Sequence, residues 1–92
     1  MSLTKSWDIF GLGSVAADDL LYVSSFPAVD TKARVLKRER QCGGLTGTAL
    51  VTVGRLGARC AFAGLLGFDE LSQIIEENFL REGVEVSFAP RA

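Results

Sequence analysis

Gly43 and Gly44 stand side by side ahead of an apolar stretch with helical spacing that ends in Arg55-Leu56-Gly57. A second glycine-acid turn, Gly64-Leu65-Leu66-Gly67-Phe68-Asp69, comes close behind. Adjacent glycines let backbone approach a ligand with no Cβ in the way, and the first turn of a helix carries N–H groups without intrahelical partners. Together they predict a place where oxygen atoms of a small polar ligand are held. Upstream, Gly11-Leu12-Gly13 leads toward a carboxylate pair, Asp18-Asp19. Other chemistries are disfavoured by composition. The chain has no histidine, and Cys42 and Cys60 lack the CxxC spacing. Zinc ligation and Cys/His nucleophilic catalysis are therefore not expected.

These residues need elements to position them. Residues 7–13 form a short apolar run closed by glycines, as a buried strand leading to a ligand-facing turn would. Residues 20–24 and the mixed apolar and basic run 32–41 read as further strands, the second exposed and one-sided. Between them Pro27 ends regular pairing. Leu45, Ala49, Leu50, Val53 and Leu56 recur at helical spacing, and Gly57 falls where a left-handed helix cap is expected. Residues 58–64 read as a short buried strand. Asp69 is placed to cap a helix whose inner face is Leu71, Ile74, Ile75, Asn78 and Phe79 and whose stop is Gly83, and residues 84–88 alternate like a strand. This order predicts a βαβαβ core with a small projecting sheet, the ligand lying beyond the carboxyl ends of the strands near Gly13, Gly43 and Gly67.

Ninety-two residues, 48% hydrophobic and 23% charged, suit one small globular unit or part of a larger one. A formal charge of −1 gives no global attraction to nucleic acid or anionic membrane, and Lys32, Arg34, Lys37, Arg38 and Arg40 carry no interleaved aromatic residues for stacking on bases. No apolar run reaches membrane-spanning length, and the amino terminus lacks a basic-then-apolar signal. Met1-Ser2-Leu3 reads as a cloning leader. A cytoplasmic protein with two reduced cysteines is the expectation.

Asp8-Ile9-Phe10-Gly11-Leu12-Gly13-Ser14-Val15-Ala16-Ala17-Asp18, then Gln41-Cys42-Gly43-Gly44-Leu45-Thr46-Gly47-Thr48-Ala49, then Gly64 to Ser72 in this order resemble the N-terminal portion of the pfkB-type, ribokinase-like carbohydrate kinases. The resemblance implies an α/β fold, the N-terminal part of a three-layer α/β/α sheet with a projecting β lid whose strands fall at about 19–25 and 32–42. It also implies phosphoryl transfer from ATP, with Mg²⁺, to a sugar or nucleoside hydroxyl. Residues 1–92 would be the substrate-side segment of a single domain. ATP and Mg²⁺ would be held by a later D-T-x-G-A-G-D segment absent from this sequence, so this chain alone is expected to be inactive.

By the same resemblance Asp18 accepts hydrogen bonds from substrate hydroxyls, Gly43 and Gly44 admit the ligand, and Thr48 takes the place of the family's asparagine. Departures are Ala16 where asparagine is frequent, Leu45 where some ribokinases carry lysine, Leu50 for the motif's closing alanine, and Ser72 for the last glycine of G-x-x-G-x-D-x-x-G. Asp18 as a simple turn acid and Asp69 as a plain helix cap stay open. So do two rival functions. Gly11-Leu12-Gly13-Ser14-Val15-Ala16 formally fits the dinucleotide pattern G-x-G-x-x-A, which requires a helix directly after it. A non-catalytic lid or oligomerisation piece is the other. Ribokinase-like lids pair with a second copy, so a homodimer through residues 32–41 is expected.

Overall fold

The structure, a computed structural model, describes residues 6–92, so Met1-Ser2-Leu3 lies outside the described residues. It is an α/β fold. In chain order the elements are β1 (Ile9–Gly11), β2 (Ala16–Tyr22), β3 (Lys37–Gly43), α1 (Leu45–Arg55), β4 (Cys60–Phe62), α2 (Glu70–Arg81) and β5 (Val84–Glu85). β1, β4 and β5 form a parallel sheet in the order β1-β4-β5, with Phe10 opposite Ala61 and Cys60 opposite Val84. β2 and β3 form a separate antiparallel ribbon running from Ala16 opposite Gly43 to Tyr22 opposite Lys37.

The core lies between the sheet and its two helices. Leu50 of α1, Ile75 and Phe79 of α2, Cys60 and Phe62 of β4, and Leu66, Val84 and Val86 are all buried together. The Phe62 and Phe79 rings meet at 5.3 Å. β4 is central and buried at every position, as the middle strand of a parallel sheet must be. Local signals end the helices where the sequence predicts. Gly57 and Gly83 have φ of 100° and 76°, and the Asp69 carboxylate accepts from the Ser72 N–H at 3.2 Å. Arg55 donates twice to Glu82, at 2.7 and 2.5 Å, tying the ends of the two helices together.

Several expectations are corrected. β2 starts at Ala16 rather than residue 20, because β3 runs on to Gly43 and its backbone pairs with the chain back to Ala16; Asp19, within the strand, also meets Arg40 at 2.9 Å and Arg38 at 3.2 Å across the ribbon. Residues 32–36 are not strand; the ribbon closes with the Leu36 N–H donating to the Tyr22 carbonyl. β5 stops after two residues because the Ser87 N–H turns to the Glu85 side chain and the Ala89 N–H to the Val86 carbonyl. The apolar stripe of α1 divides: Leu50 is buried, whereas Leu45 and Leu56 are 87% and 82% exposed. Leu45, Ala49 and Val53 border an apolar groove of about 370 Å³ shared with Ile9, Phe10 and Leu12; Val53 also packs on the core, and Leu45 and Ala49 also reach the cleft at the start of the helix.

Candidate functional site

The chain leaves β1 at Gly11 and enters the ribbon at Ala16. In between, the Ser14 carbonyl accepts from the N–H groups of Thr46 (3.0 Å) and Gly47 (3.3 Å) in the first turn of α1. Those donors are thus already engaged by protein, which corrects the expectation that they are open to a ligand. β3 runs into α1 through Gly44 alone, whose φ of 87° and ψ of 156° are open essentially to glycine only. A Cβ on Gly44 would lie 2.7 Å from both the Ser14 carbonyl oxygen and the Val15 Cα. Gly44 is therefore required by the chain itself, independently of any ligand.

Around this junction opens a cleft of about 780 Å³. It is lined by Ser14 from the link into the ribbon, Asp18 from its first arm, Gln41, Cys42 and Gly43 from the second, and Gly44, Leu45, Thr48 and Ala49 at the start of α1. All four residues singled out from the sequence, Asp18, Gly43, Gly44 and Thr48, meet here. Asp18 and Gln41 are register partners in the ribbon. A Cβ on Gly43 would stand 2.9 Å from Asp18 Oδ2, so glycine leaves that carboxylate open to the cleft. Gln41, Leu45 and Ala49 complete the lining and were not picked out as site residues. The strand pairing that brings Gln41 opposite Asp18 is a tertiary fact, and Gln41 sits just ahead of the motif.

Asp18 and Asp19 point to opposite faces of β2, as successive strand residues do. Asp19 faces away, and its hydrogen bond from Arg40, with Arg38 beside it, holds its carboxyl below the usual value of 3.8. On the Asp18 face farther along the ribbon, the Tyr22 hydroxyl donates to Glu39 at 3.1 Å and Lys37 pairs with Glu39 at 2.6 Å. The Cys42 thiol is pushed up by burial and does not have the character of a nucleophile. Both cysteines are free. Among the described residues, no group of three or more His, Cys, Asp or Glu side chains is arranged to hold a metal ion.

Gly67, expected beside Gly43, lines a different hollow with Phe68, Asp69, Gln73, Glu76 and Arg91. Its N–H is engaged within the turn, donating to Ser72 Oγ at 2.8 Å; Ser72, standing in for the motif's last glycine, closes the turn that Asp69 caps. The dinucleotide reading is also overturned. That pattern needs a helix after the glycines, and Gly13 leads instead into strand β2 of the ribbon.

Known proteins resemble this chain in sequence and in fold. The chain is 34% identical to ketohexokinase from Mus musculus over 79 residues, 86% of this chain and 26% of that protein. It thus spans about a quarter of that curated relative. A ribokinase from Thermotoga maritima shares the fold with a TM-score of 0.77 at 24% identity, over 94% of this chain and 29% of that one. A fructokinase from Xylella fastidiosa, solved with bound ATP, superposes with a TM-score of 0.72 at 25% identity, over 91% of this chain and 25% of that one. The fold is thus ribokinase-like. The family model for pfkB carbohydrate kinases matches residues 8–92. With the glycine junction, the ribbon and the parallel sheet all in place, this chain belongs to the pfkB family of carbohydrate kinases.

Proposed function

We propose that this chain is the substrate-side segment of an ATP-dependent kinase that phosphorylates a hydroxyl of a sugar or nucleoside. The observation that carries the reading is the convergence of Asp18, Gly43, Gly44 and Thr48 on one open cleft at the base of the ribbon. An ionised carboxylate accepts hydrogen bonds only, and its charge strengthens those from hydroxyl groups. Asp18 therefore orients a polyol. The Thr48 hydroxyl donates and accepts from the opposite wall, and Gly43 keeps the space between them clear.

In the transfer, the bond from the γ-phosphorus to the oxygen bridging the β-phosphate breaks and a bond to the substrate oxygen forms. The hydroxyl proton passes to a base, and ADP leaves. The family resemblance assigns the base and the ATP and Mg²⁺ contacts to a segment outside these 92 residues. The chain alone is accordingly expected to bind weakly and to catalyse nothing. The ribbon serves as a lid over the cleft and as a pairing surface for a second copy. A cytoplasmic setting suits ATP use and the two free thiols.

The test is turnover by the intact gene product, followed as ADP formed from ATP with a panel of sugars and nucleosides. Sugar- or nucleoside-dependent ADP release that Asp18→Ala lowers at least about tenfold supports the reading. A product that self-associates yet turns over none of them favours the alternative, a non-catalytic lid or assembly piece. The exposed Leu21, Phe26 and Val29 of the arm are what would serve it.

A further inference from the structure

Asp18 and Gln41 face each other across the ribbon at the floor of the cleft. Both are exposed, and among the described residues neither side chain hydrogen-bonds to protein. The carboxylate only accepts, whereas the amide both donates and accepts. Side by side they match two adjacent hydroxyls of one molecule. The α1 wall differs in character. Leu45 is 87% exposed where it lines the cleft, and Ala49 lies one turn farther along the same helix face. A hydroxyl pressed against these two loses water and gains no partner.

We propose that Gln41 and Leu45 determine substrate choice. Gln41 completes, with Asp18, a reader of adjacent hydroxyls, while Leu45 and Ala49 receive a part of the substrate that carries no hydroxyl. The class selected is a ring polyol with a vicinal diol and a neighbouring deoxy, alkyl or aryl group, in preference to a fully hydroxylated sugar. This rests on the cleft being the substrate site, as proposed above.

The experiment compares D-ribose with methyl β-D-ribofuranoside, and D-fructose with 1-deoxy-D-fructose, on the intact gene product, by calorimetric Kd and by kcat/KM with ATP. One less polar member is expected to be preferred about tenfold or more, the range that a small apolar contact supplies. Leu45→Asn should remove that preference, with folding checked by circular dichroism. Gln41→Ala should weaken both members of a pair alike, by about fivefold or more. A preference for the fully hydroxylated members, or one that Leu45→Asn leaves intact, overturns the proposal and means that Leu45 is covered by protein. Asp18→Ala separates the two levels. If it weakens binding about tenfold or more while Leu45→Asn changes nothing, only the specificity inference fails. If it has no effect on a member that binds, the cleft is not the substrate site and both readings fall; if no member of either pair binds, the specificity inference alone falls.

Discussion

Ser14 and Gly44 are mutually fitted: the Ser14 carbonyl occupies the position that a Gly44 side chain would need, 2.7 Å from its ideal Cβ, and the same oxygen caps the first turn of α1. Any substitution at Gly44 must strain its own backbone and displace this cap. Gly44→Ala is expected to cost about 1–3 kcal/mol from the backbone conformation alone, with more from the collision. Chemical denaturation followed by circular dichroism checks it. Lost ligand binding at unchanged stability would show instead that the glycine is there for the ligand.

Asp18 offers the sharper functional probe, because among the described residues its carboxylate has no hydrogen-bond or ion-pair partner to lose. Asp18→Ala in the intact gene product should weaken substrate binding by about 1.5–3 kcal/mol, the range for hydrogen bonds to a charged group. Its thermal stability should stay close to that of the parent protein. Titration calorimetry decides, and an unchanged dissociation constant removes Asp18 from the site.

The ribbon should loosen in acid. Asp19 lies below its usual 3.8 because of Arg40, and Glu39 below its usual 4.5 because of Lys37 and then Tyr22. Carboxylates whose folded values are lowered contribute stability that is complete above the unfolded values and is lost as pH falls through the folded ones. The change is therefore expected below about pH 4. Tyr22, the only tyrosine, hydrogen-bonds to Glu39, so its ring resonances report the event directly. Asp19→Asn should remove part of the pH dependence, and a ribbon whose signals do not move down to about pH 2.5, roughly one to two units below those ordinary values, argues against it.

Assembly is expected to proceed through the arm. A two-stranded ribbon has free backbone groups along both outer edges, and Val35 and Leu36 beside it are 45% and 62% exposed. Sedimentation of the intact gene product should show a dimer that Val35→Lys weakens. A monomer at every concentration refutes pairing.

The 92 residues by themselves should behave as an unfinished surface. Phe10, Leu12, Leu45, Leu56 and Phe68 are each more than half exposed, and among the described residues β1 has one strand edge unpaired. At about 25 cal/mol per Å², uncovered apolar area of roughly 400 Å² forfeits about 10 kcal/mol, comparable to the whole stability of a domain. Binding of a hydrophobic dye and a broad thermal transition are expected. A sharp, dye-free melt would mean that the chain stands alone.

What could be read from the residues was what local chemistry decides. Gly57 and Gly83 end their helices through their own dihedral freedom, and Asp69 caps through a hydrogen bond three residues away. The Asp18–Gly43–Thr48 grouping was legible too, through motif order. Illegible were features fixed by distant partners. The start of β2 depends on Gly43 of β3 lying opposite Ala16, the exposure of Leu45 depends on which side of α1 the sheet takes, and the necessity of Gly44 depends on Ser14.

The root of the ribbon is clamped twice to one helix: β3 reaches α1 through a single residue, and the chain leading into β2 is pinned to the first turn of α1 by the Ser14 carbonyl. Neither strand has slack at that end. The arm therefore behaves as a cantilever with a stiff base and a compliant tip, and whatever opens the cleft must bend it beyond the Asp18–Gln41 pair. On the proposed function, ligand exchange would then be timed by the flexing of the outer span between Leu20 and Glu39, while the polar floor keeps its geometry throughout.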